Sequence, residues 1–127
     1  MTTPVRKILI AEDDRLLMRA SSAALRRHGF EVVAAVDGEE ALAMALSAAP
    51  DLILLDVIMP KLDGIEVLSR LKAEPATASI PVIMLSNLGQ PRDVEEALAA
   101  GAVAYCVKSD LRGDELAAKV TAVLDQA

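Results

Sequence analysis

Apolar residues along this chain fall into short unbroken runs, separated by longer stretches in which they recur every three or four positions. The runs Val5 to Ala11, Glu31 to Val36, Leu52 to Asp56, Ile80 to Ser86 and Val103 to Val107 predict strands, and the continuous ones read as strands covered on both faces. The intervening stretches Asp14 to His28, Gly38 to Ala48, Gly64 to Ala73, Pro91 to Ala100 and Arg112 to Asp125 predict helices. The punctuation agrees. Gly29 and Gly101 stand just past two helices, Pro50 and Pro75 follow two others, Pro91 opens the fourth, and Pro81 suits the opening of a strand rather than its middle. Five strand and helix pairs in strict alternation imply right-handed crossovers and an α/β fold with helices on both faces of a parallel sheet.

In a parallel sheet all strands finish at one edge, and ligands sit there. The first run ends in Glu12-Asp13-Asp14, the third in Asp56 and the last in Lys108, so three carboxylates and a lysine are expected to meet. Carboxylates gathered at one place repel, and such a cluster needs a cation; its hard oxygens suit Mg2+. The pattern reads as a metal held beside a reactive aspartate.

Composition narrows the setting. At 127 residues the chain has the size of one domain, and its 54% apolar content includes no Trp, one Phe and one Tyr, which leaves Leu, Ile, Val, Ala and Met to fill the core. A net charge of -6 and a pI near 4.7 argue against a nucleic-acid partner. The single cysteine, Cys106, cannot form an internal disulfide, the first residues lack the apolar stretch of a signal peptide, and no run is long enough to span a membrane. A cytoplasmic location is expected.

Four segments carry a family resemblance: Ile8 to Asp14; Asp51 to Gly64 with its Met59-Pro60-Lys61-Leu62-Asp63-Gly64; Pro81 to Ser86; and Gly101 to Lys108. In this order and spacing the chain resembles the receiver domains of two-component response regulators over nearly its whole length, and the chemotaxis-type single-domain regulators in fold. The resemblance implies a flavodoxin-like, doubly wound five-stranded sheet in the order 2-1-3-4-5. It also implies that Asp56 accepts a phosphoryl group from a sensor histidine kinase or a histidine phosphotransfer protein. Mg2+ would be held by Glu12, Asp13, Asp56 and the backbone carbonyl of Ile58. Lys108 and Ser86 would hold phosphoryl oxygens, and Ser86 and Tyr105 would move as a switch. The signal would leave through the fourth helix, fifth strand and fifth helix toward a downstream protein.

Two positions depart from the family pattern. Ser109 stands where a proline usually follows the lysine, and a trans bond is expected there because a non-proline cis bond costs about 3 to 4 kcal/mol. Asn87 is larger than the usual alanine. Ile58 and Leu88 are apolar and cannot orient a water, so slow self-hydrolysis is expected. Asp14 is assigned to capping the first helix, His28 to that helix's C-terminus, and Cys106 to the core. On the first helix Leu16 and Met18 are expected to point away from an apolar face set by Leu17, Ala24 and Leu25, leaving them to meet the input partner. A single domain over residues 1–127, without linker or output domain, is expected. Two other functions stay open: a Mg-dependent phosphohydrolase working through an aspartyl phosphate, although such enzymes carry a second Asp where this chain has Ile58, and a degenerate receiver that binds partners constitutively. A dinucleotide binder is weaker, since no Gly-rich turn follows the first strand.

Overall fold

The computed structural model of the chain describes residues 5–59, 61–86, 91–108 and 113–126, apart from the side chains of 91–93. Its elements alternate as β1 (Lys7–Ala11), α1 (Arg15–Arg27), β2 (Glu31–Ala35), α2 (Gly38–Ala48), β3 (Leu52–Asp56), α3 (Gly64–Ala73), β4 (Val82–Ser86), α4 (Pro91–Ala99), β5 (Ala104–Val107) and α5 (Gly113–Asp125). The five strands are parallel in the order β2-β1-β3-β4-β5, a doubly wound sheet of the flavodoxin type, as the alternating pattern and the resemblance implied.

Alternate strand residues feed two cores, because successive side chains point to opposite faces. Leu9, Ile53, Leu55, Val82 and Met84 pack with Ala41 and Ala45 of α2, Val67, Leu68 and Leu71 of α3, and Ala97 of α4. On the other face Ile8, Ile10, Leu52, Leu54, Ile83 and Leu85 pack with Met18 and Leu25 of α1 and Leu116, Ala117, Val120 and Leu124 of α5. The central strands β3 and β4 are buried throughout, whereas the edge strand β5 is half-buried.

Capping fixes where the helices begin. Asp14, Asp37 and Asp63 each accept a hydrogen bond from the backbone N–H three residues on, at 3.1, 2.8 and 2.9 Å, so the assignment of Asp14 to capping holds. α1 closes at His28 with Gly29 at φ +91°, a left-handed turn that suits glycine.

Several element edges and one helix face differ from the sequence expectation. β1 starts two residues late because Val5 is exposed, and β2 stops at Ala35 as the chain turns into the Asp37 cap. β4 begins after Pro81, whose ring leaves no N–H for the ladder. α4 ends at Ala99, where Gly101 at φ +112° lets Ala102 donate back to the Ala97 carbonyl. The expectation for Met18 was wrong. It is buried, because the inward stripe of α1 runs Met18, Ser22, Leu25 at four- and three-residue steps, and a serine inside that stripe hid it from a hydrophobicity reading. Leu16 does point outward and is 78% exposed. Asn87, Leu88, Ser109 and the bond joining Lys108 to Ser109 lie outside the described residues, as does Arg112.

Candidate functional site

Register brings the polar strand ends together. Ala11 is level with Leu55, which places Glu12 beside Asp56; Asp56 is level with Leu85, and Ser86 with Val107, one residue before Lys108. Glu12, Asp13 and Asp56 each offer a carboxylate oxygen, and these atoms lie within 4.8 Å of one another. Lys108 Nζ donates to Asp56 Oδ2 at 2.8 Å and also to Glu12 Oε1. Glu12 and Asp56 are buried while Asp13 is exposed at the mouth.

The backbone orients the acids. The N–H of Asp14 donates to Glu12 Oε2 at 3.2 Å, which turns this carboxylate inward while Asp14 itself caps α1. At the exit of β3 the N–H of Gly64 donates to the Val57 carbonyl at 2.7 Å, and a Cβ at position 64 would lie 2.2 Å from the Asp56 carbonyl oxygen. Only glycine lets α3 approach the end of β3 so closely. That role was not read from the sequence, although the Asp-Gly pair that opens α3 is its signal. Lys61 at φ +69° clips the same loop to α2 through Asp37 at 3.5 Å and Glu39 at 3.9 Å.

The electrostatics follow from burial and pairing. Desolvation raises the Glu12 carboxyl above the usual range; Lys108 and the Asp14 N–H offset part of this, and the neighbouring Asp56 adds to it. For Lys108, burial alone would lower the ammonium, but the hydrogen bonds and charges of Asp56 and Glu12 outweigh it and the net shift is upward. The acids contribute -3 and Lys108 +1, so the described cluster carries -3 + 1 = -2. Three hard oxygens with a residual charge of -2 fit a divalent cation of the Mg2+ type. Ser86 and Ile58 line the same cleft, whose volume of about 310 Å³ leaves space for a hydrated ion and a phosphoryl group, since one water takes about 30 Å³.

Every site residue expected from the sequence except Tyr105 lines this cleft. Tyr105 is half-buried and packs against the core on the α2–α4 side. Strand alternation sets Tyr105 apart: Glu12, Asp56 and Lys108 continue the parity that faces α1 and α5, whereas Tyr105 is level with Met84 and faces α4; Ser86 shares that parity but, at the very end of β4, still lines the cleft.

A family model described as the response regulator receiver domain matches residues 8–121. The chain belongs to the response regulator receiver family. Receiver domains are signalling switches of two-component phosphorelays rather than enzymes of small-molecule turnover. Among curated relatives, the gliding motility regulatory protein of Myxococcus xanthus is 44% identical over 111 residues, covering 87% of this chain and 14% of that protein. The DNA-binding dual master transcriptional regulator RpaA of Synechocystis is 41% identical over 118 residues, covering 93% and 48%. The chain thus spans about half or less of the length of these relatives. Among solved structures, the receiver domain of the Francisella response regulator 1452 matches with a TM-score of 0.87 at 31% identity, covering 95% of this chain and 98% of that one. CheY in the CheX-CheY-BeF3-Mg2+ complex from Borrelia burgdorferi matches with a TM-score of 0.85 at 30% identity, covering 93% and 88%. No helix among the described residues is long and apolar enough to cross a membrane.

Proposed function

We propose that this receiver, acting as one domain over residues 1–127, is a phosphoacceptor switch. Asp56 takes a phosphoryl group from the phosphohistidine of a sensor histidine kinase or histidine phosphotransfer protein in the cytoplasm. The observation that carries the reading is the Lys108 ammonium bonded to Asp56 at 2.8 Å, inside a cleft that also holds Glu12 and Asp13. A carboxylate oxygen of Asp56 attacks phosphorus, the bond from phosphorus to the donor imidazole nitrogen breaks, and the electron pair leaves with that nitrogen. Lys108 turns from its carboxylate partners toward a phosphoryl oxygen, and the Ser86 hydroxyl donates to another, so the chain contributes position and charge. Glu12, Asp13, Asp56 and the Ile58 carbonyl would hold Mg2+, which supplies charge neutralisation to the phosphoryl oxygens when bound; the BeF3 and Mg2+ named for the Borrelia CheY complex support this choice.

The chemistry biases a conformational equilibrium. A phosphoryl group adds negative charge and acceptor oxygens where Ser86 ends β4, and the drawn-in Ser86 frees space toward which Tyr105 turns. The surface of α4, β5 and α5 then presents a different face to a downstream protein. The side chain of Ile58, 72% exposed at the cleft, offers no group to orient water, which favours a long-lived acyl phosphate.

Incubation with acetyl phosphate and Mg2+ tests the reading. The parent is expected to gain the mass of one phosphoryl group and Asp56→Asn to gain none; equal labelling of both proteins overturns the assignment of Asp56.

A further inference from the structure

The loop 57–63 joins Asp56 to α3 and places Ile58 on the wall of the cleft, so the position of that loop sets where the Ile58 carbonyl lies. Gly64 fixes its far end through the close approach to the Asp56 carbonyl. A second glycine meets the loop from α2. A Cβ at Gly38, the first residue of that helix, would lie 2.4 Å from the Leu62 carbonyl oxygen and 2.6 Å from the Leu62 Cβ. Both distances are far inside van der Waals contact, and the first is to a backbone atom, which no side-chain rotation relieves. The N-terminus of α2 therefore rests directly on the loop.

That support is firm. Asp37 Oδ1 accepts from the Glu40 N–H at 2.8 Å, Glu39 and Glu40 suit the first turn, and Ala41 and Ala45 are buried in the core. The other oxygen of Asp37, Oδ2, faces the Lys61 ammonium at 3.5 Å, with Glu39 Oε2 at 3.9 Å. One carboxylate thus caps the helix and ties down the loop. Lys61 itself is held at φ +69°, a left-handed backbone that a lysine rarely adopts and that persists only where the surroundings impose it. Met59 is buried, and Leu62 packs against the same core. Met59, Lys61, Leu62 and Gly64 are all anchored, while the Ile58 side chain stays exposed at the cleft.

On the phosphoacceptor reading of the cleft, we infer that Gly38 and Lys61 are positioning residues: the N-terminus of α2 seats the loop that carries the Ile58 carbonyl, and thereby sets the affinity for Mg2+. Linkage makes the effect reciprocal, since a cation that prefers the seated loop tightens the contact at Gly38 by the same factor. Charge gives the test its sign. Lys61 is a cation on the loop beside the cleft, so its removal would raise the affinity for Mg2+ through electrostatics alone, whereas loss of a positioning clip lowers it.

Amide NMR titration of the full chain with Mg2+ reads the affinity, and urea unfolding without metal reads the fold. Gly38→Ala is expected to weaken Mg2+ about tenfold and to shift the amides of Ile58 and Met59 before metal is added. Lys61→Asn tolerates the left-handed backbone but makes no ion pair; it is expected to weaken Mg2+ about threefold with an unchanged urea midpoint, and Lys61→Arg to keep the parental affinity. Should Gly38→Ala fold poorly, the two Lys61 variants decide. A rise in Mg2+ affinity in Lys61→Asn, or equal affinity in the parent, Gly38→Ala and Lys61→Asn, would overturn the inference alone. A parent that neither binds Mg2+ nor is labelled by acetyl phosphate overturns the phosphoacceptor reading and the inference with it.

Discussion

The two faces of the sheet do different work with similar cores. The face toward α1 and α5 ends in Glu12, Asp56 and Lys108, a buried ionic cluster joined by hydrogen bonds. The face toward α2, α3 and α4 ends in Ser86 and Tyr105, which carry hydroxyls and no charge. A pleated strand reverses its side chains at every residue, so chemistry on one face and readout on the other can lie a single residue apart and still be mechanically joined. In the proposed switch, β4 and β5 would link the two faces without a dedicated relay.

Stability offers the strongest way to break this picture. Leu54 and Leu55 are fully buried on opposite faces, and replacing either with alanine is expected to cost about 4 kcal/mol in urea unfolding. A difference of several kcal/mol between them would mean that one face alone holds the fold. The ionic face should then respond to its lysine: Lys108→Met leaves two buried carboxylates facing each other and is expected to cost about 3 kcal/mol without metal, with part of the loss restored by millimolar Mg2+. On the opposite face, Tyr105→Phe is expected to change stability by less than about 1 kcal/mol, to leave labelling by acetyl phosphate intact, and to reduce the amide shifts that BeF3 induces in β5.

The smallest effect is a pH dependence that the ionic face alone should show. Burial raises Glu12, so the folded protein binds its proton more readily than the unfolded chain, and stability of the metal-free protein declines as pH rises from the ordinary carboxylate range through the folded-state value. Mg2+ affinity moves the opposite way, rising over the same interval as Glu12 loses its proton. Chemical denaturation and Mg2+ titration on both sides of that interval check the two signs, and Glu12→Gln should flatten both curves.

Much of this was legible in one dimension. Continuous apolar runs exposed the parallel strands, and helical spacing with Pro50 and Pro75 beyond the ends set α2 and α3 to the residue. Asp56 stood out as a charge closing a wholly apolar run. Met18 was misread because a buried serine broke the apolar stripe, and the link from His28 Nε2 to Asp114 Oδ1 at 3.0 Å was invisible because 86 residues separate its partners. The tight fit of Gly64 against the Asp56 carbonyl could be suspected from an Asp-Gly pair but not measured from it.

Periodicity, helix caps and charged strand ends are local properties, and the sequence by itself therefore determined the elements, their alternation and the residues available for chemistry. Distances between strands depend on register and packing across the whole sheet. Tertiary structure alone decided that Lys108 bridges Glu12 and Asp56 and that Tyr105 follows the other face.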